Sequence, residues 1–175
     1  CIPGNAGTNS IAQNIDLDPM DFKEIKKYFK KNKIDIVVVG PEQPLVNGIV
    51  DYLEKYDIKV FGPNKFASQL EGSKIFTKNL CEKYNIPTAN FGIFKNSEDA
   101  NRFLEKCNLP IVIKADGLAS GKGVYICNSK DEGLTAIKEI FEGKFGLAEK
   151  ILIEEFLEGE EMSFFTIHDG KTFKT

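Results

Sequence analysis

Apolar positions in the first third of the chain change their spacing from one segment to the next. A helical period at positions 22, 25 and 29 follows Asp18-Pro19, which predicts a helix with Asp18 as its N-cap and Pro19 as its first residue. The β-branched run 34–39 predicts a buried strand, and apolar positions 45, 49, 50 and 53 predict a second helix. A short strand is predicted at 59–61. Strands that alternate with helices predict a parallel sheet covered by helices.

The pattern changes after Gly62-Pro63-Asn64, which indicates a domain boundary between residues 62 and 70. Beyond it, a helix is predicted over 73–84, and strands are predicted near 89–94, 111–115, 124–127 and 151–154. Residues 129–132 have the sequence of a capping box, which predicts a helix before the last of these strands. An apolar segment at 164–167 and the turn signal at 168–171 predict a hairpin.

Composition and charge exclude some classes of protein. The 175 residues include 23 Lys+Arg and 26 Asp+Glu, which gives a net charge of −3, and Arg102 is the only arginine. A nucleic-acid-binding protein usually has a basic excess and several arginines, so this class is disfavoured. No apolar stretch approaches the roughly 20 residues that span a bilayer, and no signal peptide is visible at Cys1. We therefore expect a cytoplasmic protein without nucleic-acid or membrane partners.

Neither the cysteines nor the histidine predict a catalytic or metal site. The four cysteines, at positions 1, 81, 107 and 127, form no CxxC pair, and the single histidine, His168, lies in the predicted turn. Nucleophilic catalysis by a serine or cysteine would lack a nearby base. We expect reduced, mostly buried thiols rather than a zinc site or disulfides.

The segment 114–123, KADGLASGKG, is the strongest candidate for chemistry. Its three glycines expose backbone N–H groups and its two lysines add positive charge, a combination that suits a polyphosphate. The spacing is neither that of a Walker A loop nor that of GxGxxG. A glycine-rich hairpin with solvated lysines explains the composition equally well.

Three further segments carry weaker signals. Residues 151–161 join a predicted strand to a run of carboxylates, which could contact an adenine edge and ribose hydroxyls or form a solvated acidic turn. Lys74 lies at the start of a predicted helix, where it opposes the helix dipole; this indicates either a bound anion or an ordinary surface lysine. Residues 3–8 could form an anion-binding nest or a flexible turn.

Six segments together resemble one family. They are PGNAGT at 3–8, VGPEQPLVNG at 39–48, FGPN at 61–64, LEGSKIFTK at 70–78, PIVIKADGLASGKGV at 110–124 and IEEFLEGEEMSF at 153–164. Their order and spacing are similar to those of the phosphoribosylamine–glycine ligases, the glycinamide ribonucleotide synthetases of purine biosynthesis, which are ATP-grasp enzymes. The resemblance implies a mixed α/β and α+β fold. A partial Rossmann-like pre-ATP-grasp domain would cover 1–65, and the front part of an ATP-grasp fold 66–175, with a small lid-like subdomain at 88–153.

The resemblance also implies roles for individual residues. Lys74 and Lys114 would bind the ATP phosphates, and the loop 117–123 would cover them. Glu154 and the backbone that follows it would hold the adenine, and Glu161 would accept hydrogen bonds from the ribose hydroxyls. The implied ATP site comprises Lys74, Lys114, Gly117, Ser120, Gly121, Lys122, Gly123, Glu154, Glu155, Phe156, Leu157 and Glu161, with Lys114 and Lys122 as catalytic residues. The implied phosphoribosylamine site comprises Pro3, Gly4, Asn5, Ala6, Gly7, Thr8, Glu42, Gln43 and Pro44.

The implied reaction joins glycine to 5-phosphoribosylamine. ATP phosphorylates the glycine carboxylate, and the amine then displaces phosphate to give glycinamide ribonucleotide, so no protein nucleophile is needed. The family's first strand and glycine-rich loop would precede residue 3, and its ligands for Mg²⁺ or Mn²⁺ would follow Thr175. The chain therefore resembles a fragment truncated at both ends, and we expect it to be inactive alone.

The resemblance implies only small-molecule partners, namely ATP, glycine and phosphoribosylamine, and a monomer or weak oligomer. Two alternatives stay open at this point. The chain could belong to another ATP-grasp carboxylate–amine ligase with a different acceptor, or these residues alone could form a non-catalytic nucleotide-binding module.

Overall fold

The computed structural model describes residues 1–118, 122–146 and 148–175. A 3₁₀ helix covers Thr8–Ser10, and the α-helices in these ranges are α1 (Phe22–Asn32), α2 (Glu42–Val46), α3 (Ile49–Glu54), α4 (Gln69–Gly72), α5 (Lys74–Tyr84), α6 (Ser97–Leu104) and α7 (Lys130–Phe141). The strands are β1 (Val37–Val38), β2 (Val60–Phe61), β3 (Phe91–Phe94), β4 (Ile111–Ala115), β5 (Val124–Cys127), β6 (Ile151–Glu155), β7 (Ile167–His168) and β8 (Phe173–Lys174). This mixed composition confirms the predicted fold class.

The described strands form three sheets. β1 and β2 pair in parallel, as the alternation of strand and helix predicts. Four longer strands form an antiparallel sheet in the order β3-β6-β4-β5. β7 and β8 form a small antiparallel hairpin near the C-terminal end.

Each of the two larger sheets has its own core. In the first, Ile25, Val50 and Leu53 from α1 and α3 pack with partly buried residues of β1 and β2. In the second, α6 and α7 cover one face of the four-stranded sheet. Alternate residues of β4 and β6 point into this second core, so the residues between them point to the opposite face. That opposite face carries the candidate site.

The predicted start of α1 is wrong by three residues. Asp21, not Asp18, is the N-cap, and its side chain accepts a hydrogen bond from the backbone N–H of Glu24. The Asp18 carboxylate instead accepts from the N–H of Met20, within a turn that precedes the helix. An aspartate side chain that accepts from a nearby backbone N–H stabilises a turn as readily as a helix start. Asp18 stabilises such a turn, so the helix begins three residues later, after Asp21.

A strand forms within the predicted range 34–39, but it is shorter and more exposed than predicted. Only Val37 and Val38 form a strand, and Ile36 and Val38 are 58% and 68% exposed. The two-stranded sheet has helices on one face only, so alternate apolar residues of the run lie uncovered. They border an apolar cleft of about 450 Å³ in this part of the chain.

The single helix predicted over 45–53 is two helices. Gly48 separates α2 from α3 with a φ of 90°, a left-handed conformation that ends α2. The short helix α4 was not predicted at all.

The second half of the chain agrees closely with the sequence-based prediction. The Ser73 hydroxyl caps α5 by accepting from the N–H of Phe76, and Asn85 ends the helix in the left-handed conformation. Ser129 caps α7 as predicted, although Glu132 completes the box by accepting from the N–H of Asn128 rather than that of Ser129. All four predicted long strands are present within two residues of their expected bounds. The predicted hairpin forms, with its turn one residue later than expected.

The four cysteines are free thiols, as predicted, but most are not buried. Only Cys127 is buried; Cys1 is exposed, and Cys81 and Cys107 are intermediate. Burial raises the pKa of the Cys107 and Cys127 thiols, which makes both weaker nucleophiles at neutral pH.

Candidate functional site

A cleft of about 240 Å³ lies between α5 and the uncovered face of the four-stranded sheet. Three of its lining residues are lysines: Lys74 and Lys78 come from α5, and Lys114 comes from β4. The lining residues are Leu70, Glu71, Lys74, Thr77, Lys78, Thr88, Lys114, Gly117, Leu118 and Leu152. The structure thus brings together two lysines that are 40 residues apart in the chain, Lys74 and Lys114.

Strand alternation places the charged residues of the sheet on the cleft side. Ile113 and Ala115 of β4 point into the core with α6 and α7, so Lys114 between them points to the opposite face. Lys114 pairs in register with Leu152 of β6, and Glu154 is two residues further along β6. This diagonal relation lets the two side chains meet, and their charged groups form an ion pair.

Glu154 is a buried carboxylate that lies between two ammonium groups. It is 6% exposed, and its Oε1 pairs with Lys114. Its Oε2 lies 2.7 Å from the Nζ of Lys78, an ion-pair contact outside hydrogen-bond geometry. The carboxylate that was implied to contact adenine is therefore engaged by two lysines in this structure.

Lys78 also lines the cleft, although no motif or charge pattern in the sequence indicates a role for it. Its Nζ donates to the Thr88 hydroxyl at 2.8 Å and to the Ala89 carbonyl at 3.1 Å. The signal that could have found it is its position four residues after Lys74, because residues at that spacing lie on the same face of a helix.

The N-terminus of α5 already has an anion bound to it, and that anion is Asp116. The carboxylate of Asp116 accepts from the Ser73 hydroxyl at 3.0 Å and from the backbone N–H of Ile75 at 3.2 Å. From the sequence, Lys74 has two explanations, a bound anion at the start of the helix or an ordinary surface lysine. The structure supplies an anion from within the chain, and Lys74 lines the cleft.

Lys74 donates from its Nζ to the carbonyl of Gly117 at 2.7 Å. Burial lowers the pKa of the Lys74 ammonium, nearby Asp116 opposes that change, and the positive charge of Lys114 lowers the pKa further. The charged form of Lys74 is therefore less favoured than that of an ordinary lysine, and an added anion in the cleft would stabilise it.

The glycine-rich segment leaves the sheet beside this cleft. The N–H of Ala115 donates to the carbonyl of Gly123 at 2.9 Å, which closes the base of the segment. Gly117 and Gly123 have φ angles of 94° and 82°, which only glycine adopts readily. Lys122 is exposed. Two implied ATP-binding residues, Ser120 and Gly121, lie outside the described residues.

The side chains at the end of β6, beyond Glu154, do not line the cleft. The side chain of Glu155 turns away to Asn90, whose backbone N–H and side-chain amide donate to its two oxygens at 2.9 and 3.0 Å. The hydrogen bond from the Asn90 backbone and, to a smaller extent, the one from its side chain lower the pKa of the Glu155 carboxyl. Phe156, Leu157 and Glu161 are exposed and are not among the residues that line the cleft. Asn90 is a second contact that sequence reasoning missed.

The residues implied for phosphoribosylamine lie in the first part of the chain, and Pro44 alone of them is among the residues that line the apolar cleft described above. Asn5 and Thr8 bond to each other: the Asn5 side chain accepts from the Thr8 N–H at 3.0 Å, and the Thr8 hydroxyl accepts from the Asn5 N–H at 2.7 Å. Pro44 borders the apolar cleft of the first sheet, whereas Glu42 is exposed in the first turn of α2. The assignment of this site stays a prediction.

The described residues do not fit a resident divalent cation. Within residues 1–118, 122–146 and 148–175, no group of three or more His, Cys, Asp or Glu side chains is placed to hold a metal ion.

None of the helices in the described ranges is both long enough and apolar enough to cross a membrane.

Two family models together match the whole chain. Residues 1–71 match the N domain of phosphoribosylglycinamide synthetase, and residues 72–175 match its ATP-grasp (A) domain. The junction at 71/72 falls at the end of α4.

Curated relatives share about half of the residues. A phosphoribosylamine–glycine ligase from Mesorhizobium japonicum is 50% identical over 171 residues, which are 97% of this chain and 40% of that protein. One from Clostridium acetobutylicum is 47% identical, over 98% of this chain and 42% of that protein. The chain thus spans about two fifths of the length of the relatives it matches.

Solved structures have the same fold. The crystal structure of a phosphoribosylamine–glycine ligase from Thermotoga maritima is 33% identical with a TM-score of 0.78, and the match covers 98% of this chain and 41% of that one. N5-carboxyaminoimidazole ribonucleotide synthetase from Thermus thermophilus, at 18% identity and a TM-score of 0.67, shares the fold over 89% of this chain and 39% of that one. From its two matching domains and its relatives, the chain belongs to the phosphoribosylglycinamide synthetase family, with an N domain followed by ATP-grasp (A) domain sequence.

Proposed function

We propose that this chain carries the ATP-phosphate site of a ligase that joins glycine to 5-phosphoribosylamine. The products are glycinamide ribonucleotide, ADP and phosphate. The observation that carries the proposal is the convergence of Lys74 and Lys114 on one cleft beside the glycine-rich segment, in a chain about half identical to proteins named phosphoribosylamine–glycine ligase. The activity is that of the complete polypeptide that contains this chain.

In the proposed reaction, a carboxylate oxygen of glycine attacks the γ-phosphorus of ATP. The bond to the bridging oxygen breaks, and glycyl phosphate and ADP form. The amine nitrogen of phosphoribosylamine then attacks the acyl carbon, loses a proton and displaces phosphate. Lys74 and Lys114 bind phosphate oxygens, and Lys122 approaches the transferring group, so the protein contributes positioning and charge stabilisation.

The remaining implied assignments belong to the same proposal. The backbone of Glu155, Phe156 and Leu157 contacts adenine beside Glu154, and Glu161 accepts from the ribose. Gly117, Ser120, Gly121 and Gly123 cover the phosphates. Residues 3–8 with Glu42 and Pro44 bind phosphoribosylamine.

We also propose a division into an N domain at 1–65 and an ATP-grasp part at 66–175, with a smaller subdomain at 88–153. The protein would act in the cytoplasm as a monomer or weak oligomer on small molecules. The divalent cation of the reaction would be Mg²⁺ or Mn²⁺.

The first experiment measures ADP release by the complete polypeptide. We expect release to require both glycine and phosphoribosylamine, and to stop when either is omitted. Release that proceeds with another amine in place of phosphoribosylamine would contradict the proposed acceptor.

The second experiment tests the site by calorimetry with ATP. We expect Lys114→Ala to weaken ATP binding about tenfold or more, because a charge-assisted contact with a phosphate oxygen is lost. Lys138→Ala is the matched control, since that lysine is 72% exposed on α7. Equal affinities in the Lys114 and Lys138 variants would refute the assignment of Lys114.

A further inference from the structure

Lys78 is a buried cation on the wall of the cleft that the proposed reaction does not use. It is 8% exposed. Its ammonium has three partners: the Thr88 hydroxyl at 2.8 Å, the Ala89 carbonyl at 3.1 Å and Oε2 of Glu154 at 2.7 Å. Two of the three N–H donors of the ammonium bond to Thr88 and Ala89, and the group faces the Glu154 carboxylate as an ion pair, so groups of the chain itself hold it in place.

The partner of Lys78 is also the partner of Lys114. The two oxygens of Glu154 are divided between them, Oε2 facing Lys78 and Oε1 pairing with Lys114. Two ammonium groups and one carboxylate leave one positive charge without compensation. The side chain of Lys114 is 27% exposed against 11% for Lys78, so the uncompensated charge lies on the side of Lys114.

We infer that Lys78 is a positioning residue, and this inference rests on the proposed function. By holding one oxygen of Glu154, it stops that carboxylate from neutralising Lys114 completely. Lys114 then keeps its orientation through Glu154 and still attracts a phosphate oxygen. Lys78 therefore acts on the phosphate through its neighbours, without touching it.

Removing Lys78 converts the cluster into a neutral pair. In Lys78→Met, which keeps the length of the side chain, Glu154 has Lys114 as its remaining ion-pair partner. Their mutual attraction then competes with any phosphate, and a buried pair is hard to separate. We expect binding of a polyphosphate to weaken about tenfold, which is the size of a close charge coupling.

The probe is inorganic tripolyphosphate, measured by calorimetry on the complete polypeptide. It has no adenine, so contacts of Glu154 with a base do not enter the result. Lys83→Met is the matched control, because Lys83 lies on the same helix and is exposed. Equal affinities in the Lys78 and Lys83 variants would overturn the inference.

A double variant separates charge from packing. In Lys78→Met combined with Glu154→Gln, no carboxylate holds Lys114, so we expect the affinity for tripolyphosphate to return to within about threefold of the unmodified protein. A double variant that binds no better than Lys78→Met would mean that Lys78 acts only by filling space, and would overturn the inference.

If Lys78→Met fails to fold, the single variant Glu154→Gln tests the role of Lys78. Loss of the carboxylate leaves both lysines without their shared anion, so tripolyphosphate binding becomes tighter. Damage to the structure would weaken binding, and unchanged or weaker binding would contradict the inference.

Failure of the proposed function gives a different result. A protein that binds ATP and tripolyphosphate but releases no ADP with glycine and phosphoribosylamine would contradict the proposed reaction and leave the role of Lys78 in place. A protein that binds neither ligand would contradict both.

Discussion

At the scale of single residues, the environment of Lys74 in the cleft changes its protonation. Burial lowers the pKa of the Lys74 ammonium below the ordinary value of 10.5. A lysine with a lowered pKa in the folded protein destabilises the fold while it is charged, and stability is regained as the pH rises through its folded pKa toward 10.5. An anion bound beside it would reverse this effect by favouring the charged form.

We therefore predict that nucleotide binding takes up a proton at alkaline pH. Between the lowered pKa of Lys74 and 10.5, part of the free protein has a neutral Lys74, which the phosphates of ATP would recharge. The heat of binding, measured by calorimetry in two buffers of different ionisation enthalpy, should reveal this uptake, and Lys74→Met should abolish it.

Lys83→Met serves as the control for this measurement, because it removes an exposed lysine of the same helix. Heats that do not depend on the buffer at any alkaline pH would show that Lys74 is not the residue that meets the phosphates.

At the scale of elements, the contact between α6 and α7 depends on a glycine. Gly133 is buried on α7, and a Cβ added to it would lie 2.8 Å from the side chain of Leu104 on α6. Leu104 is fully buried, so it has little room to move. The close approach of α6 and α7 thus explains why glycine, a poor helix former, occupies position 133 of α7.

We predict that Gly133→Ala destabilises the protein. Alanine would gain up to about 1 kcal/mol in helix propensity, but overpacking in a full core costs about 1–3 kcal/mol. The loss should therefore prevail, and urea denaturation measures it.

The double variant Gly133→Ala with Leu104→Val identifies the cause. Shortening Leu104 makes room for the new methyl group, so the double variant should lose less stability than the sum of the two single losses. Additive losses would mean that the clash with Leu104 is not the source.

At the scale of the whole molecule, Asp116 joins two elements that are far apart in sequence. It follows β4 directly, yet its carboxylate caps the N-terminus of α5 through Ser73 and Ile75. This contact, together with the bond from Lys74 to Gly117, ties α5 to the base of the glycine-rich segment. The relative position of Lys74 and Lys114 depends on it.

We predict that Asp116→Ala lowers the free energy of unfolding by about 1–2 kcal/mol, because it removes hydrogen bonds to a charged acceptor at a helix N-terminus. Asp131→Ala is the control, since Asp131 is an exposed aspartate in the first turn of α7. Chemical denaturation compares the two variants. Equal stability in both would mean that the contact between Asp116 and α5 contributes nothing measurable.

Local signals in the sequence determined much of this protein. The caps at Ser73 and Ser129 and the β-branched run of β4 specify their elements through contacts within a few residues, so sequence patterns find them. The glycine-rich segment and its two lysines are visible for the same reason. The resemblance carried by the longer motifs was confirmed at the level of the family.

Only the tertiary structure decided the features that depend on distant neighbours. The run 34–39 has the pattern of a buried strand, but burial depends on how many strands and helices surround it. Within the described part of the chain, β1 pairs with one strand, β2. Asp116 and Lys78 lie within sequence motifs, but the motifs do not indicate their partners, which lie 10 to 76 residues away. The charge in this cleft depends on ion pairs between residues of different strands and a helix. No local sequence pattern indicates that Lys78 and Lys114 share the buried carboxylate of Glu154.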